Sequence, residues 1–241
     1  MPSRGRRRHP LRTAFLLVVA ALLAFLAWKA WSWPDVAGLA RRNPPTTAFI
    51  ERYRERQRAA GRDDRVQRVW VPYGSIAPGL KRAVLVAEDI GFFAHRGFDV
   101  GEMRLAVTKA LEEGEAPRGA STITQQLAKN LWLSPSRNPL RKIEEGILTW
   151  QLERSLSKRR IFELYLNVVE FGPGVYGAEA ASRRYYGKPA SQLTDDEAAR
   201  LAASLPSPAS WHPGSTRRGY QRHVETVRRR MDKAVFPLGQ M

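Results

Sequence analysis

The chain has 241 residues, of which 43% are hydrophobic, and a formal net charge of +17. It contains no cysteine, which excludes disulfide bonds and thiol chemistry. The positive excess favours an anionic partner, which is a membrane surface, a phosphate-bearing substrate or nucleic acid.

The first 33 residues combine a basic start with an apolar run. Residues 1–12 hold five arginines, and residues 13–28 carry no charge. With Lys29 reaching the interface, residues 13–33 are long enough to span a bilayer, and tryptophans near the end suit the interfacial belt. We predict a cytoplasmic basic tail over 1–12 and a transmembrane anchor over 13–33. A cleaved signal peptide is the alternative, but its apolar core is usually shorter.

Residues 34–70 are predicted to form a juxtamembrane linker with one exposed helix, which falls within the charged segment 51–62. Residues 71–236 are predicted to form the main domain. The run 69–73 is the only one that looks extended. The length of the main segment fits a single domain.

Residues 79–90 are predicted to form a helix that ends in two acids. Glu88 and Asp89 follow the apolar run 83–87 and precede three phenylalanines and His95. A carboxylate among apolar neighbours has a raised pKa, because burial disfavours its charged form. That suits a general acid or base. Exposed acids at the end of a helix are the alternative.

The stretch 121–130 predicts a helix with an apolar seam beside two polar stripes. Only one of the six polar side chains is charged, whereas a solvated helix face usually carries Glu, Lys and Arg. Neutral donors and acceptors with one cation suit a ligand rich in oxygen, such as a sugar or a phosphate. A plain polar surface is the alternative. The six residues are Ser121, Thr122, Gln125, Gln126, Lys129 and Asn130.

Three cations, Arg137, Arg141 and Lys142, lie where the next predicted helix begins. Acids would suit the helix dipole better there, so a bound anion is a reasonable compensation. Arginine matches phosphate oxygens in pairs, and lysine adds a point charge. Glu145 lies one turn beyond Arg141, where it can hold the cations or bind a metal that bridges to phosphate. A surface salt bridge is the alternative.

The rest of the chain is also predicted to be helical. The segment 143–157 is amphipathic, 161–171 is the central buried helix, and a capping box at 194–197 begins another. A last basic helix over 216–235 is predicted to be a solvated or membrane-facing surface. The G-x-G-x-x-G match at 172–177 follows a helix and is predicted to be a helix-to-helix turn. No segment alternates clearly, so the predicted fold class is all-α.

Five blocks occur in order between residues 88 and 201. They are E-D-x-x-F-x-x-H-x-G at 88–97, the polar stretch 119–130, R-K-x-x-E at 141–145, residues 161–177 and the helix at 193–201. In this order they resemble the peptidoglycan glycosyltransferases, glycosyltransferase family 51, and most of all its monofunctional biosynthetic transglycosylases.

The resemblance implies a lysozyme-like helical fold with a small jaw lobe next to the membrane, and a glycosyltransferase domain over 71–236. It implies polymerisation of lipid II into β-1,4-linked glycan strands, with inversion and release of undecaprenyl diphosphate. Glu88 would be the general base, and Glu145 would position the diphosphate, directly or through Mg or Mn; no organic cofactor is implied. Lys129, Arg137, Arg141 and Lys142 would neutralise the diphosphate, while Ser121, Gln125, Gln126 and Asn130 would contact sugar or phosphate oxygens.

The expected location is the bacterial inner membrane, with one span, a cytoplasmic N-terminus and a periplasmic catalytic domain. The expected partners are lipid II, the growing glycan strand, the membrane and other wall-synthesis and division proteins; nucleic acid is not expected. One rival is a lysozyme-like hydrolase or lytic transglycosylase, which needs no basic diphosphate cradle. The other is a non-enzymatic cell-wall scaffold, against which intact Glu88 and Glu145 argue.

Overall fold

The computed structural model describes residues 10–114, 121–134, 138–234 and 236. Its contacts divide the chain into two units, Met1–Asp35 and Val36–Met241. In the first unit, helix α1 covers Pro10–Trp31. Its stretch Leu11–Lys29 is long and apolar enough to cross a membrane, and the described side chains there are mostly exposed. The observed helix thus ends two residues before the predicted anchor does.

The second unit is mainly helical, as predicted. Its helices are α2 Ala48–Ala59, α3 Pro78–Glu88, α4 Val100–Glu113, α5 Ile123–Trp132, α6 Pro139–Ser155, α7 Lys158–Val168, α8 Ala178–Tyr186, α9 Asp195–Ala202 and α10 Arg218–Lys233. Short 3-10 turns cover Ala37–Ala40, Tyr73–Ser75 and Ala190–Gln192.

Side-chain caps fix where several of these helices begin. Thr122 accepts a hydrogen bond from the Gln125 amide, and the Gln125 side chain accepts from the Thr122 amide, which makes a capping box. Thr194 forms the predicted capping box in front of α9. Ser157 caps α7 in a simpler way, by accepting from the amide of Arg160 at 3.2 Å. The polar residues that begin these helices are therefore part of the fold.

The core lies where α5 packs between α6 and α7. Ile123 and Leu127 on α5, and Phe162 and Tyr165 on α7, are fully buried. Burying side chains of this size contributes about 1.5–3 kcal/mol each. The buried helix predicted over 161–171 is present, but it ends at Val168 because the chain then enters a strand.

A small sheet departs from the predicted purely helical pattern. Its strands are β1 Gln67–Arg68, β2 Glu170–Gly172 and β3 Val175–Tyr176, in the order β1-β3-β2. β1 pairs parallel to β3, and β2 pairs antiparallel to it. The predicted extended run 69–73 lies just after β1 and is not a strand. Strands of two or three residues are too short to show alternation in sequence.

The turn over 172–177 joins two strands and not two helices. Gly177 has φ +86°, and a Cβ there would lie 2.8 Å from the carbonyl oxygen of Asn167. This glycine therefore serves a close backbone approach, and the segment is a hairpin turn.

The segment predicted as a linker belongs to the second unit. Helix α2 packs on α5, and β1 pairs with β3. The predicted boundary between residues 70 and 71 thus falls inside one compact unit that begins at Val36.

Two helices expose apolar faces. α4 buries none of its side chains and exposes Val100, Leu105 and Leu111. α6 exposes Leu140, Ile143, Ile147 and Trp150 at helical spacing. Apolar faces of this size are unusual for a protein surface in water.

Candidate active site

Glu88 is the last residue of α3, and its carboxylate is held by α5. The Gln126 side-chain amide donates to Glu88 Oε2 at 2.6 Å. The hydroxyl of the fully buried Tyr165 donates to Gln126 Oε1 at 3.0 Å. With the tyrosine hydroxyl on the amide oxygen, the amide nitrogen faces Glu88, where it donates to the carboxylate. A chain of two hydrogen bonds from α7 through α5 therefore sets the carboxylate.

The surroundings of Glu88 favour its protonated form. Burial raises the pKa of Glu88, and the neighbouring charge of Asp89 adds to the rise. The Gln126 hydrogen bond and the Lys129 charge act against it but are smaller effects than burial. A carboxylate with a raised pKa is a stronger proton acceptor once it is ionised. This matches the environment predicted for Glu88.

Asp89 ties the next loop to the start of α5. Its Oδ2 accepts from the backbone amide of Ile123 at 3.0 Å, and His95 Nε2 lies 2.9 Å from its Oδ1. The backbone amide of Gly97 donates to His95 Nδ1 at 3.1 Å, so the ring proton must sit on Nε2 and point at Asp89. These bonds fix α3, the loop and α5 together, and thereby fix the position of Glu88.

A second charged cluster surrounds Glu145. This carboxylate is 3% exposed, and Arg141 Nη1 lies 2.6 Å from its Oε2. The amine of Lys142 binds its other oxygen. Burial lowers the pKa of the Lys129 amine, while the charge of Glu145 opposes that fall. Three cations thus share one carboxylate, which leaves a net positive charge.

Lys129 connects the two clusters. Its ammonium interacts electrostatically with both Glu88 and Glu145. Gln126, which holds Glu88, lies three residues earlier on the same helix. Glu88 and the Arg141–Lys142 pair are therefore joined through α5.

The other predicted binding residues divide into two groups. Ser121 is exposed just before α5 and lines the groove beside Glu88. Gln125 is buried in the capping box, and Asn130 donates to the backbone oxygen of Gln126 at 2.8 Å. Polar groups of these two residues are therefore used within the helix. Arg137 lies outside the described residues.

The groove beside Glu88 has a volume of about 550 Å³. One wall includes Arg230 and Lys233 of α10, and Arg230 donates to the backbone oxygen of Val86 at 3.1 Å. α10 was predicted to be a solvated or membrane-facing surface, so its place in this wall is a finding of the structure. Asp89, His95 and Tyr165 were likewise given no role from sequence, although the first two lie in the block 88–97 and Tyr165 lies in the block 161–177.

The donor set at Glu145 does not fit a divalent cation, because both carboxylate oxygens are bonded to Arg141 and Lys142. In the described part of the chain, the group that brings three ligand atoms together is Asp89, His95 and Asp99. Asp89 and His95 there are bonded to each other. The side chains that neutralise Glu145 in the structure are Arg141 and Lys142.

Comparison with known proteins gives consistent matches. The sequence model of the Transglycosylase family matches residues 55–232. A biosynthetic peptidoglycan transglycosylase of Thiobacillus denitrificans is 46% identical over 220 residues, which cover 91% of this chain and 95% of the relative. That of Laribacter hongkongensis is 44% identical, covering 91% and 96%, and that of Chromobacterium violaceum is 40% identical, covering 94% and 99%.

Proposed function

Because this chain belongs to the transglycosylase family and is a peptidoglycan glycosyltransferase, we propose that lipid II is its substrate and that Glu88 is its general base. The growing strand on undecaprenyl diphosphate is the donor. The 4-hydroxyl of a new lipid II sugar is the acceptor. The product is a β-1,4-linked glycan strand.

Glu88 takes the proton from the acceptor hydroxyl, because a sugar alcohol is a poor nucleophile until a base removes it. The oxygen then attacks the anomeric carbon, the bond to the diphosphate oxygen breaks, and the configuration inverts. The proton passes from Glu88 to solvent afterwards. Gln126 and Tyr165 keep the carboxylate aimed at the groove during this step.

The cations of α5 and α6 stabilise the leaving diphosphate. Lys129 lies one turn after Gln126 on α5, Arg141 and Lys142 lie in the first turn of α6, and Arg137 is proposed to join them from sequence alone. The donor already carries an activated leaving group, so charge neutralisation replaces the carboxylic acid that a hydrolase needs. Glu145 holds the cations in place.

Sugar contacts are proposed for the groove side of α5. Ser121, which lines the groove next to Glu88, is proposed to offer its hydroxyl to sugar oxygens. Gln126, whose amide already bonds to Glu88 and Tyr165, is proposed to contact sugar through the remaining acceptor capacity of its oxygen. Gln125 and Asn130 support these positions by bonding within the helix start and its second turn.

The membrane holds both substrates, and the protein is proposed to contact it at more than one place. α1 is the anchor of a single-pass protein of the inner membrane. The arginines before it favour a cytoplasmic N-terminus and a periplasmic catalytic unit. The exposed apolar faces of α4 and α6 are proposed to enter the lipid surface as the jaw lobe. Other wall-synthesis and division proteins remain predicted partners.

The link from Glu88 through α5 to the Glu145 cluster supports this function best, because it connects the proposed base to the cations that are proposed to bind the diphosphate. Replacing Glu88 by Gln (Glu88→Gln) is expected to reduce lipid II polymerisation by about hundredfold or more, the usual contribution of a general base. Labelled lipid II turnover by the full chain in detergent measures this, with circular dichroism as the folding check.

Glu102→Gln is the matched control, since Glu102 lines the same groove but is exposed on α4. It is expected to keep nearly normal turnover. Near-normal turnover by Glu88→Gln would refute the base assignment. Shortening of purified cell wall, in place of lengthening of lipid II, would favour the hydrolase alternative.

A further inference from the structure

A second pocket lies beside α2, outside the groove that holds Glu88. Its volume is about 510 Å³, and its walls come from α2, the β2–β3 turn and residues 207–209. This volume lies within the range of small-ligand sites. The proposed glycosyl transfer makes no use of it.

Three arginines give this pocket its charge. Arg52 and Arg56 lie one turn apart on α2, and Arg62 follows the helix. In the described part of the chain, Arg52 and Arg56 make no ion pair, whereas Arg58 on the same helix lies 3.6 Å from Asp64. A cluster of cations that outnumbers the nearby acids is typical of an anion site.

The pocket also contains a carboxyl group, that of Glu170. Burial raises the pKa of Glu170, and the Gly174 amide and the Arg56 charge oppose the rise. The Gly174 amide donates to Glu170 Oε1 at 3.3 Å. With three arginines against one acid, the pocket stays positive in either state of Glu170.

Two aromatic rings add apolar surface next to the charges. Phe49 and Tyr53 lie on the arginine-bearing face of α2. Gly174, with φ +71°, makes room for Tyr53, because a Cβ there would lie 2.7 Å from the tyrosine hydroxyl. The turn and the ring are thus fitted to each other. Aromatic faces beside guanidinium groups suit a ligand that is both anionic and partly apolar.

Phe49 places the pocket next to the proposed diphosphate cradle. The Lys129 amine lies 5.9 Å from the centre of the Phe49 ring. Lys129 in turn interacts with Glu88 and Glu145. The same helix therefore lines the pocket and contacts Lys129 of the proposed cradle.

We infer that this pocket binds the carboxylate-bearing peptide of a peptidoglycan strand. Guanidinium groups bind carboxylates through paired hydrogen bonds, and Arg52 and Arg56 are both available for this. The identity of the strand rests on the proposed function, but binding is a separate property from glycosyl transfer. A bound peptide next to Lys129 would hold the strand close to the groove between successive additions.

The test is binding of a fluorescently labelled soluble disaccharide-peptide to the full chain in detergent, followed by anisotropy. The double change Arg52→Gln and Arg56→Gln is expected to weaken binding about tenfold or more, from the loss of two charge-assisted contacts. The matched control Arg58→Gln, on the same helix but outside the pocket, is expected to change affinity less than about twofold. The exposed Ala209→Trp, which fills the pocket, is expected to weaken binding as well.

Three results would overturn the inference. The first is an unchanged affinity of the double variant for the labelled disaccharide-peptide. The second is equally tight binding of the same disaccharide without its peptide. The third is displacement of the labelled ligand by inorganic phosphate or anionic vesicles as effectively as by the unlabelled disaccharide-peptide. Glu88→Gln is expected to bind the disaccharide-peptide normally. Its binding and its polymerisation are therefore measured side by side, so that a failed base assignment and a failed pocket are told apart.

Discussion

At the residue scale, the central feature is the sequence of hydrogen bonds from Tyr165 through Gln126 to Glu88. An amide side chain can turn either end toward a carboxylate, and only the nitrogen end is attractive. The carboxylate therefore favours the nitrogen end, and the hydroxyl of the buried Tyr165 bonds to the oxygen end and helps to hold this orientation. We propose that Tyr165 is a positioning residue that acts through Gln126.

Tyr165→Phe is expected to lower kcat for lipid II about 2- to 10-fold, the worth of one net hydrogen bond, with little change in KM. The matched control is Tyr220→Phe, because Tyr220 is also fully buried and donates to the backbone oxygen of Arg200 at 2.9 Å. That change is expected to cost similar stability without lowering kcat. Steady-state kinetics and thermal unfolding of both variants check the difference. If Tyr165→Phe and Tyr220→Phe lower kcat equally, Tyr165 has only a structural role.

The raised pKa of Glu88 also has a consequence for stability. Below its ordinary value of 4.5, the carboxyl group is protonated in both folded and unfolded chains. As pH rises, the unfolded chain ionises first, and the folded chain loses stability until pH exceeds the raised pKa. Glu88→Gln removes this cost, so its gain in melting temperature over the natural chain is expected to be larger at pH 8 than at pH 4.

Thermal unfolding of the full chain at the two pH values measures this gain. Glu102→Gln serves as the control, since its exposed side chain is not desolvated by folding. A gain for Glu88→Gln that is the same at pH 4 and pH 8 would contradict the role of burial at this site.

At the element scale, α5 and the first turn of α6 carry most of the proposed site. α5 presents Gln126 to the base and Lys129 to the cradle, and α6 adds Arg141 and Lys142 around the buried Glu145. Cations at the start of a helix oppose its dipole, which is tolerable here because Glu145 compensates them in part. A bound diphosphate would complete the compensation.

Arg141→Ala is expected to reduce lipid II turnover about tenfold or more, because it removes a charge-assisted contact to the leaving group. Arg183→Ala is the matched control. Arg183 lies 2.7 Å from the nearly buried Glu179 at the same i, i+4 spacing, but on α8, outside the groove. Labelled lipid II turnover compares them. If Arg141→Ala lowers lipid II turnover by less than about twofold, Arg141 forms only an ordinary salt bridge.

The sequence was most informative where local pattern and local structure coincide. The capping box of α9, the buried α7 and the polar face of α5 follow from spacing within a few residues. The residues missed depend on distant partners. The contact of Tyr165 with Gln126 joins two helices, and α10 reaches the groove only through the tertiary fold. The three short strands lacked enough residues for any period to be visible.

At the scale of the whole molecule, the exposed apolar faces of α4 and α6 are the surfaces proposed to contact lipid. The α6 face ends in Trp150, and the guanidinium of Arg154 lies 5.5 Å from that ring. An aromatic ring with a long cationic side chain is a usual pairing at a membrane interface. Lipid contact at these helices would shield apolar surface that water otherwise covers.

The absence of cysteine allows a direct measurement of this contact. Leu111→Cys and Ile147→Cys, labelled with a polarity-sensitive dye in lipid nanodiscs, are expected to show blue-shifted emission relative to Ser191→Cys. Ser191 is exposed within the 3-10 turn Ala190–Gln192, which belongs to neither helix. Emission at Leu111 and Ile147 that matches Ser191 would contradict membrane contact by these faces.

The short spacing between Gln126 and Lys129 limits how this enzyme can escape an inhibitor. A compound that bridges both side chains touches the partner of the base and a cation of the leaving group at once. A drug-resistance substitution that moved α5 away from the compound would misplace both groups for the natural substrate. Under the proposed mechanism, resistance is therefore expected in substitutions that block the compound without shifting α5.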